Sequence, residues 1–464
     1  GNENNVVAIA RKRGIDVILN SESKRETLCG VGFGAKQRAI GTAAGAQLTM
    51  NMKNTITQVK RLIGRKFNEP TVQVDLAAFP YRATEGPDGE IQLHVQYMGE
   101  DVCFSPEQVV GMIMGDLKQM AEKDNGSKIG DFVVSVPCFY TDKPRRAMLD
   151  GAQIGGLNVL RLMNETTAVA LDYGIFKTDL PEKDPLKVIF VDVGHSALQC
   201  SVVAFKKGQL KVLAHTFDRN LGGRDLDMVL VDHFAAEFLE KYKIDVKSNL
   251  KAKLKLRTAC EKLKKILSAN PEAPLNVECL MNDVDVRSHI TREKFEELAD
   301  SVLSRAKQPI LNALEISGVK PEEVFAVELN GSGSRTPSID KTVEGIFGKY
   351  SRTLNASESV SKGCALQCAM LSPVFRVREF EVQDVSPMPI NIAWKKDGSD
   401  EISDNEVFGR MNACPSTKLL TIYRSDAFQL ACRYSDPSLM PEGVPAELGT
   451  YKVGPFAAPA SGEK

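Results

Sequence analysis

At 464 residues, with 43% hydrophobic and 26% charged positions, the chain is long enough for about three globular domains with sizeable buried cores. A formal net charge of −1 creates no global field for nucleic acid or an anionic membrane, and no apolar run reaches membrane-spanning length. Ten cysteines form no C-x-x-C pair and share no ligand spacing with the five histidines, which favours reduced core thiols over disulfides or zinc.

Gly1–Leu19 reads as a glycine turn, an apolar run (Val6–Ala10), basic residues with Gly14, and a second run from Ile15. Asn54–Phe67 reads as a short basic helix, with Lys60 on a solvated face as the plain interpretation. Phe132–Val136 is a strand stopped by Pro137, and Arg145–Ile154 a helix ending at Gly155-Gly156. Val159–Leu162 is a strand, and Asn164–Thr167 opens the Ala-rich helix Ala168–Tyr173. Glu165 therefore stands at a strand-to-helix corner. It serves there either as a first-turn acid on the helix dipole or as one of the groups that α/β folds collect at such corners.

Val188–Phe205 (V-I-F-V-D-V-G-H-S-A-L-Q-C-S-V-V-A-F) is the stretch around which the rest is organised. It predicts two strands joined at Gly194-His195-Ser196, the first buried on both faces. Asp192 interrupts that apolar strand, and a buried carboxylate needs a partner. A hydrated metal bound to phosphates and a turn aspartate capping its own backbone both satisfy the pattern. The stretch resembles Gly1–Leu19 at a distance of about 190 positions, which suggests a duplicated, two-lobed body enclosing a cleft. The first copy starts at its turn and lacks a leading strand.

Asn220–Asp225 turns into a long helix through Phe238, and Lys251–Leu267 forms a second helix with an apolar face at Leu256, Ala259, Cys260, Leu263, Ile266 and Leu267. Phe325–Leu329 is a strand running into Asn330-Gly331-Ser332-Gly333-Ser334-Arg335 and then a helix. That turn can cradle a phosphate or an adenine, but it lacks the third glycine of the dinucleotide fingerprint, and there is no Walker-type motif. After about Leu371 the character changes. Residues 373–384 read as a mixed-charge connector and 385–464 as a small all-β module, with strands at Ile390–Trp394, Lys418–Tyr423 and Phe428–Arg433 and a loose tail from Ala457.

Several motifs in order resemble the ATPase domain of the 70-kDa heat-shock chaperones, and more closely their 110-kDa branch. They are V-K-R-L-I-G-R, L-N-V-L-R-L-M-N-E-T-T-A-V-A-L-D-Y-G, V-D-V-G-H-S-A-L-Q-C-S, L-G-G-R-D-L-D, T-A-C-E-K-L-K-K-I-L-S and E-L-N-G-S-G-S-R-T-P. The Gly-His-Ser turn and Y-G-I-F-K-T-D-L-P point to the 110-kDa branch. The resemblance implies an α/β, two-lobed actin and sugar-kinase type of fold over residues 1–372, with lobes of about 1–180 and 181–372. It also implies a linker at 373–384 and a partial peptide-binding β-sandwich at 385–464 without the helical lid.

By motif, Lys60 would meet the γ-phosphate and attacking water, while Glu165 and Asp192 would orient hydrated Mg2+, Asp192 through water. Glu261, Lys264, Lys265 and Ser268 would grip ribose and adenine opposite Gly331, Ser332 and Arg335. Asn2, Gly194, His195, Gly222 and Gly223 would lie against the nucleotide, ATP or ADP. The departures are equally specific. Ala197 stands where the 70-kDa chaperones have a threonine, Gln199 where they have a second aspartate, and Ser332 where they have a second glycine. The leading strand with its metal-side aspartate is absent before Gly1, and V-R-E-F-E-V replaces the leucine-rich linker.

One missing charge-assisted hydrogen bond, worth about 1.5–3 kcal/mol, would slow hydrolysis roughly 10- to 100-fold if it acts only in the transition state. The expectation is a nucleotide-holding co-chaperone with weak hydrolysis, residing in the cytosol with the nucleus also open. It would speed ADP release from a 70-kDa partner's ATPase domain and hold unfolded client polypeptides. An ATP-driven foldase of the 70-kDa type is the alternative; a paralogue that binds no nucleotide and a sugar kinase come behind it.

Overall fold

The computed structural model describes residues 1–456 except Lys12, Arg13, Arg376, Asp397, Gly398 and Ser425. The tail expected from Ala457, and the basic pair expected in the first hairpin, lie outside the described residues. Ala8–Arg11 (β1) and Gly14–Val17 (β2) pair antiparallel, as the first apolar repeat predicts. Gly30–Phe33 (β3), Arg38–Ile40 (β4) and Thr55–Thr57 (β5) form a small sheet with β3 in the middle.

The β-branched run Thr55-Ile56-Thr57 goes to that sheet, which corrects the expected basic helix over 54–67. Gln58 then turns left-handed at φ 56°, and only one 3-10 turn, Val59–Arg61, follows. Pro106–Asn125 (α1) was not anticipated, although Ser105-Pro106-Glu107-Gln108 is a legible start: the Ser105 hydroxyl and the Gln108 side chain form a reciprocal capping box.

Asp131–Val136 (β6) and Asn158–Asn164 (β7) pair in parallel around the helix Asp142–Ile154 (α2). Among the described residues β1 pairs only with β2 and β6 only with β7. Glu165–Gly174 (α3) follows β7 directly.

Leu186–Val193 (β8), Leu198–Lys206 (β9) and Gln209–Asp218 (β10) form the antiparallel heart of the second lobe. The Gly194 amide donates to the Ala197 carbonyl at 2.9 Å, closing the turn where it was expected. Gly223–Tyr242 (α4) and Leu250–Ala269 (α5) pack on one face. The hairpin of Glu272–Met281 (β11) and Val284–Thr291 (β12) was missed, though its Asn282-Asp283 turn has positive φ at both residues (53° and 57°), which this pair of residue types tolerates.

Val324–Asn330 (β13) runs parallel to β8 and leads through the glycine turn to Pro337–Phe347 (α6). Ser359–Leu371 (α7) returns beneath the first lobe. Glu381–Ser386 (β14) then adds to β10 in parallel through residues 381–383 and pairs with Asn412–Cys414 on its other side, so the end of the expected connector is an interior strand of the second-lobe sheet. The resulting six-stranded sheet, completed by Asn412–Cys414, reads β13-β8-β9-β10-β14 and then that short strand.

Beyond it, Ile390–Lys395, Ile402–Phe408, Phe428–Tyr434 and Glu447–Val453 form a four-stranded antiparallel sheet. The predicted strand Lys418–Tyr423 is not among them. That segment is non-repetitive and solvent-facing, with Leu419 93% exposed, so its apolar residues find no sheet face to cover. The C-terminal sheet region touches both lobes, because the Tyr434 hydroxyl accepts from the Asp142 amide at 2.9 Å and the Arg219 guanidinium donates to the Leu439 carbonyl.

The interior divides into a first-lobe cluster around Phe33, Leu62 and Leu93, a second-lobe cluster around Phe234 and Phe238, and a bridging cluster that includes Leu171, Phe190, Phe205 and Phe380. The described cysteines are free, as expected, and no described helix is long and apolar enough to cross a membrane. Helices α3 and α7 pack backbone against backbone at Gly363, where an added Cβ would lie 1.9 Å from the Ala168 carbonyl oxygen. Gly363→Ala is expected to lower the unfolding free energy by about 2–3 kcal/mol in urea titration, because backbone, not a flexible side chain, stands in the way.

Candidate functional site

A cavity of about 2450 Å³ lies between the lobes and runs on between β1 and β6. It exceeds the several hundred Å³ of an ordinary small-molecule site. Asn2, Lys60, Glu165, Asp192, Gly194, His195, Gly223, Glu261, Lys264, Lys265, Ser268, Ser332 and Arg335 all line it. Most of the residues singled out in the sequence are thus brought to one place. Gly222 and Gly331 stand behind its wall.

Strand pairing puts the central carboxylate there. Asp192 is opposite Gln199 on antiparallel β9 and opposite Asn330 on parallel β13. The Asn330 amide donates to Asp192 Oδ2 at 2.9 Å, and Asn330 Oδ1 accepts from the Ser359 hydroxyl at 2.8 Å. Asn330 was not singled out in the sequence, but as the last strand residue before a glycine turn it occupies the position a parallel neighbour would use to reach Asp192. Gly331 is needed for this approach. Its φ is +75°, and a Cβ there would sit 2.4 Å from the Val193 carbonyl and 2.5 Å from Asp192 Oδ1.

Glu165, the first residue of α3, accepts from the Gln199 amide at 2.5 Å and from the Lys60 ammonium on its other oxygen. Gln199 Oε1 in turn accepts from the Cys138 amide at 2.9 Å. Gln199 therefore bridges the cleft floor, bonded at both its amide nitrogen and its amide oxygen. Lys60 and Glu165 expose only 15% and 14% of their side chains, so Lys60 is not on a wet helix face. Its backbone is held from behind by the Tyr140 hydroxyl.

Burial opposes the charge on Glu165, but the Lys60 cation, with further help from Gln199, outweighs it and holds the carboxyl below its usual range. Asp192 goes the other way: burial, and then the nearby Glu165 charge, push it up to about 6. Two carboxylates thus share one lysine in a buried cleft. Among the described residues no group of three or more His, Cys, Asp or Glu is placed to hold a metal directly. A cation meeting these carboxylates through water fits that donor set, and direct ligation does not.

A carboxyl whose folded pKa is raised binds its proton more tightly in the native state. That contribution is present below the ordinary value near 4 and is lost as pH rises through about 6. Asp192→Asn is therefore expected to raise the unfolding free energy by about 2–3 kcal/mol at pH 7.5 and to change it little near pH 4, as read from urea titrations at both pH values.

The hairpin turn is clasped from the second lobe. The Gly223 and Arg224 amides donate to the Gly194 and His195 carbonyls at 2.9 and 2.8 Å, and a Cβ on Gly222 would meet the His195 carbonyl oxygen at 2.5 Å. Burial, followed by the charges of Arg224, Arg257 and Lys264, drives the His195 pKa well down, so its ring is neutral. His195 Nδ1 is 2.9 Å from the Asn2 amide nitrogen, which makes Nδ1 the acceptor and places the proton on Nε2, 3.7 Å from Glu3. Burial and then the Glu261 charge raise Glu3 to about 7.

Arg224 also spans the lobes, donating to Gln58 at 3.0 Å and to Asp75 at 2.8 Å, while Arg61 holds the other Asp75 oxygen at 2.7 Å. This ionic clasp was missed by the sequence reading, because its members are far apart in the chain. On α5, Lys264 donates to the Gly223 carbonyl at 2.7 Å and pairs with Asp227 at 2.6 Å. Lys265 pairs with Glu261, and the Ser268 hydroxyl bonds the Lys264 carbonyl at 3.2 Å.

A cleft between two mixed α/β lobes, with a lysine and two carboxylates at its floor and a glycine turn on its wall, is consistent with an actin-like ATPase fold. The family profile described as Hsp70 protein matches residues 1–464, and the chain belongs to the Hsp70 family. Within it the chain falls in the 110-kDa branch.

It is 52% identical to heat shock 70 kDa protein 14 of Arabidopsis thaliana over 100% of this chain and 56% of the relative. It is 48% identical to heat shock 70 kDa protein 4 of Homo sapiens over 97% of this chain and 54% of the relative. With the 97 kDa heat shock protein of Strongylocentrotus purpuratus the identity is 47% over 100% and 52%. The chain spans about half the length of the curated relatives it matches.

Proposed function

We propose that this chain binds ATP and ADP with Mg2+, hydrolyses ATP slowly, and acts as a nucleotide exchange factor on the ATPase domain of a 70-kDa heat-shock chaperone, with holdase capacity toward unfolded polypeptides. The observation that carries the reading is the neutral bridge at the cleft floor. Gln199 ties Glu165 to the Cys138 amide where hydrolysis calls for a further anion beside the metal, and Ala197 offers no hydroxyl. Holding needs many contacts, but cutting needs a few made only in the transition state.

In this reading Lys60 faces the terminal phosphate, and Glu165 and Asp192 orient the waters around Mg2+. The α5 residues Glu261, Lys264, Lys265 and Ser268, with Ser332 and Arg335, flank ribose and adenine. Asn2, Gly194, His195 and Gly223 border the phosphates, with Gly222 and Gly331 letting the backbones close behind them. Bound Mg2+ supplies neutralisation of the phosphate charge. The reading divides the chain into ATPase-like lobes at about 1–180 and 181–372, a linker at 373–384 and a partial peptide-binding β-sandwich beyond, working in the cytosol and extending to the nucleus.

Release of a fluorescent ADP analogue from a 70-kDa chaperone tests it: acceleration by this chain in the presence of ATP is expected, and no acceleration ends the reading. Convergence of Lys60, Glu165 and Asp192 favours one second reading, an ATP-driven foldase, which would instead show turnover stimulated by unfolded peptide.

A further inference from the structure

The glycine turn after β13 forms one wall of the cleft. Its start is fixed: the Gly331 amide donates to the Ala356 carbonyl at 3.3 Å, and a Cβ on Gly333 would lie 2.8 Å from the Val193 carbonyl oxygen. Its exit is different. Ser332 and Arg335 border the cleft, while Ser334 and Arg335 border a second cavity of about 260 Å³ behind the turn, lined also by Leu329, Arg352 and Leu354. With space on both sides, few apolar contacts can fix this end of the turn, and its position rests on polar ones. The Ser334 amide and hydroxyl both donate to the Gly331 carbonyl, at 3.1 and 2.8 Å, which sets the shape of the turn but not where it stands.

Arg352 reaches across the gap. Its guanidinium donates to the Ser334 carbonyl at 2.7 Å and to both carboxylate oxygens of Asp340 in the first turn of α6, one of them at 3.3 Å. It also lies 5.2 Å from the Tyr350 ring centre. One planar fork thus ties the end of the turn to the helix that follows. The base it reaches from is firm. The Ser351 amide donates to the Val327 carbonyl at 2.7 Å, the Leu329 amide donates to the Ser351 carbonyl at 2.9 Å, and Thr353 donates to the buried Glu328 from its amide and hydroxyl at 3.0 and 2.8 Å.

We propose that Arg352 is a positioning residue for the nucleoside end of the cleft. It does not line the cleft. It acts through the Ser334 carbonyl, holding Ser332 and Arg335 at the spacing from α5 that admits a base and its ribose. The ligand side of this inference rests on the proposed nucleotide binding; the holding of the turn does not. Arg352 should therefore matter to the nucleoside and not to the phosphates, which that reading puts beside Lys60 and the Gly194 turn.

The test compares the full chain with Arg352→Ala and Arg352→Lys by calorimetry, using ATP with Mg2+ and then tripolyphosphate with Mg2+, which has the phosphates and no nucleoside. Arg352→Ala is expected to weaken ATP binding about 10-fold, the low end for one hydrogen bond to a charged group, and tripolyphosphate binding by less than about 2-fold. Arg352→Lys should show the same split at about 3-fold or more, because one ammonium cannot hold the Ser334 carbonyl and both Asp340 oxygens in a plane. It keeps the charge and serves if the alanine variant folds poorly. Hydrogen exchange without nucleotide is the second measurement. Amides at 331–336 should exchange about 10-fold faster in either variant, and those at 222–226, on the opposite wall, at unchanged rates.

A merely structural arginine would weaken ATP and tripolyphosphate by the same factor, or weaken neither, and either result overturns the proposal. If the unaltered chain gives no heat with ATP, the proposed function falls. In that case, or where tripolyphosphate alone binds too weakly to detect, exchange decides. Unchanged rates at 331–336 in the variants overturn the positioning role, and so does equal speeding at 222–226, which would mark a general loosening. Faster exchange at 331–336 alone upholds it.

Discussion

Lys60→Ala is expected to lower the unfolding free energy by about 3–5 kcal/mol at pH 7.5, the range for removing one partner of a largely buried ion pair. The lysine is the cation Glu165 touches, and Asp192 is close enough for the Glu165 charge to raise it. Without the ammonium, two buried carboxylates face each other across a floor where the remaining donors are the neutral amides of Gln199 and Asn330.

The pH dependence gives the sign. At present Glu165 is held below its ordinary value, so its contribution is present above that value and fades as pH falls through the folded one. In the variant burial acts without its main opponent, and the Glu165 carboxyl rises. The destabilisation should therefore shrink as the pH is lowered toward 5. Adding Glu165→Gln should recover most of it at pH 7.5, because the charge that lacked a partner is gone. Urea titration of the three proteins decides. A loss under about 1 kcal/mol for Lys60→Ala, or no recovery in the double variant, would mean that the pair is solvated and the cleft floor is not the closed electrostatic unit described here.

The fate of Lys60 shows where sequence pattern carries the argument and where it fails. Apolar runs bounded by glycine gave the central hairpin to within two residues at each end, because short valine-rich runs flanking a glycine turn favour strands buried on both faces over a buried helix. Parallel pairing then put Asp192 beside Asn330, which no periodicity reveals, since the partner strand begins more than 130 positions later. Around Lys60 the spacing of basic and apolar residues imitated a helix, yet Thr55–Thr57 was taken by a sheet edge and the turn after it swung the lysine inward. Local propensity was overridden by tertiary context.

The same holds for Gln199. In sequence it reads as a missing carboxylate, and only the fold shows that its amide serves both Glu165 and the Cys138 amide. The Arg61–Asp75–Arg224 clasp is illegible for the same reason: it joins ordinary surface-type residues whose meaning lies wholly in who faces them. Asn282-Asp283 and the Ser105 capping box are different, since their local chemistry is sufficient and they were simply passed over.

Gln199→Asp separates holding from cutting most directly. Aspartate is one methylene shorter and donates nothing, so Glu165 loses a hydrogen bond to its charged form and gains a like charge nearby. In the absence of Mg2+ the variant should be about 2–3 kcal/mol less stable in urea, the scale of a hydrogen bond to an ion. With Mg2+ and ATP the balance changes. On the proposed reading, a third carboxylate by Glu165 and Asp192 would strengthen the hold on the waters around the metal where charge develops, and phosphoryl transfer responds chiefly to such positioning and neutralisation.

Turnover is expected to rise about tenfold, the equivalent of 1.4 kcal/mol in the barrier, with little change in ATP affinity. Gln199→Asn is the control. It also breaks the bridge to Glu165 and should share the loss of stability, but it brings no charge and should not speed turnover. Single-turnover hydrolysis with saturating ATP compares the three proteins. Equal rates for Gln199→Asp and the unaltered chain, with ATP bound in both, would show that hydrolysis is limited somewhere other than this bridge. A gain shared by Gln199→Asn would trace the effect to loosening of the floor and not to charge.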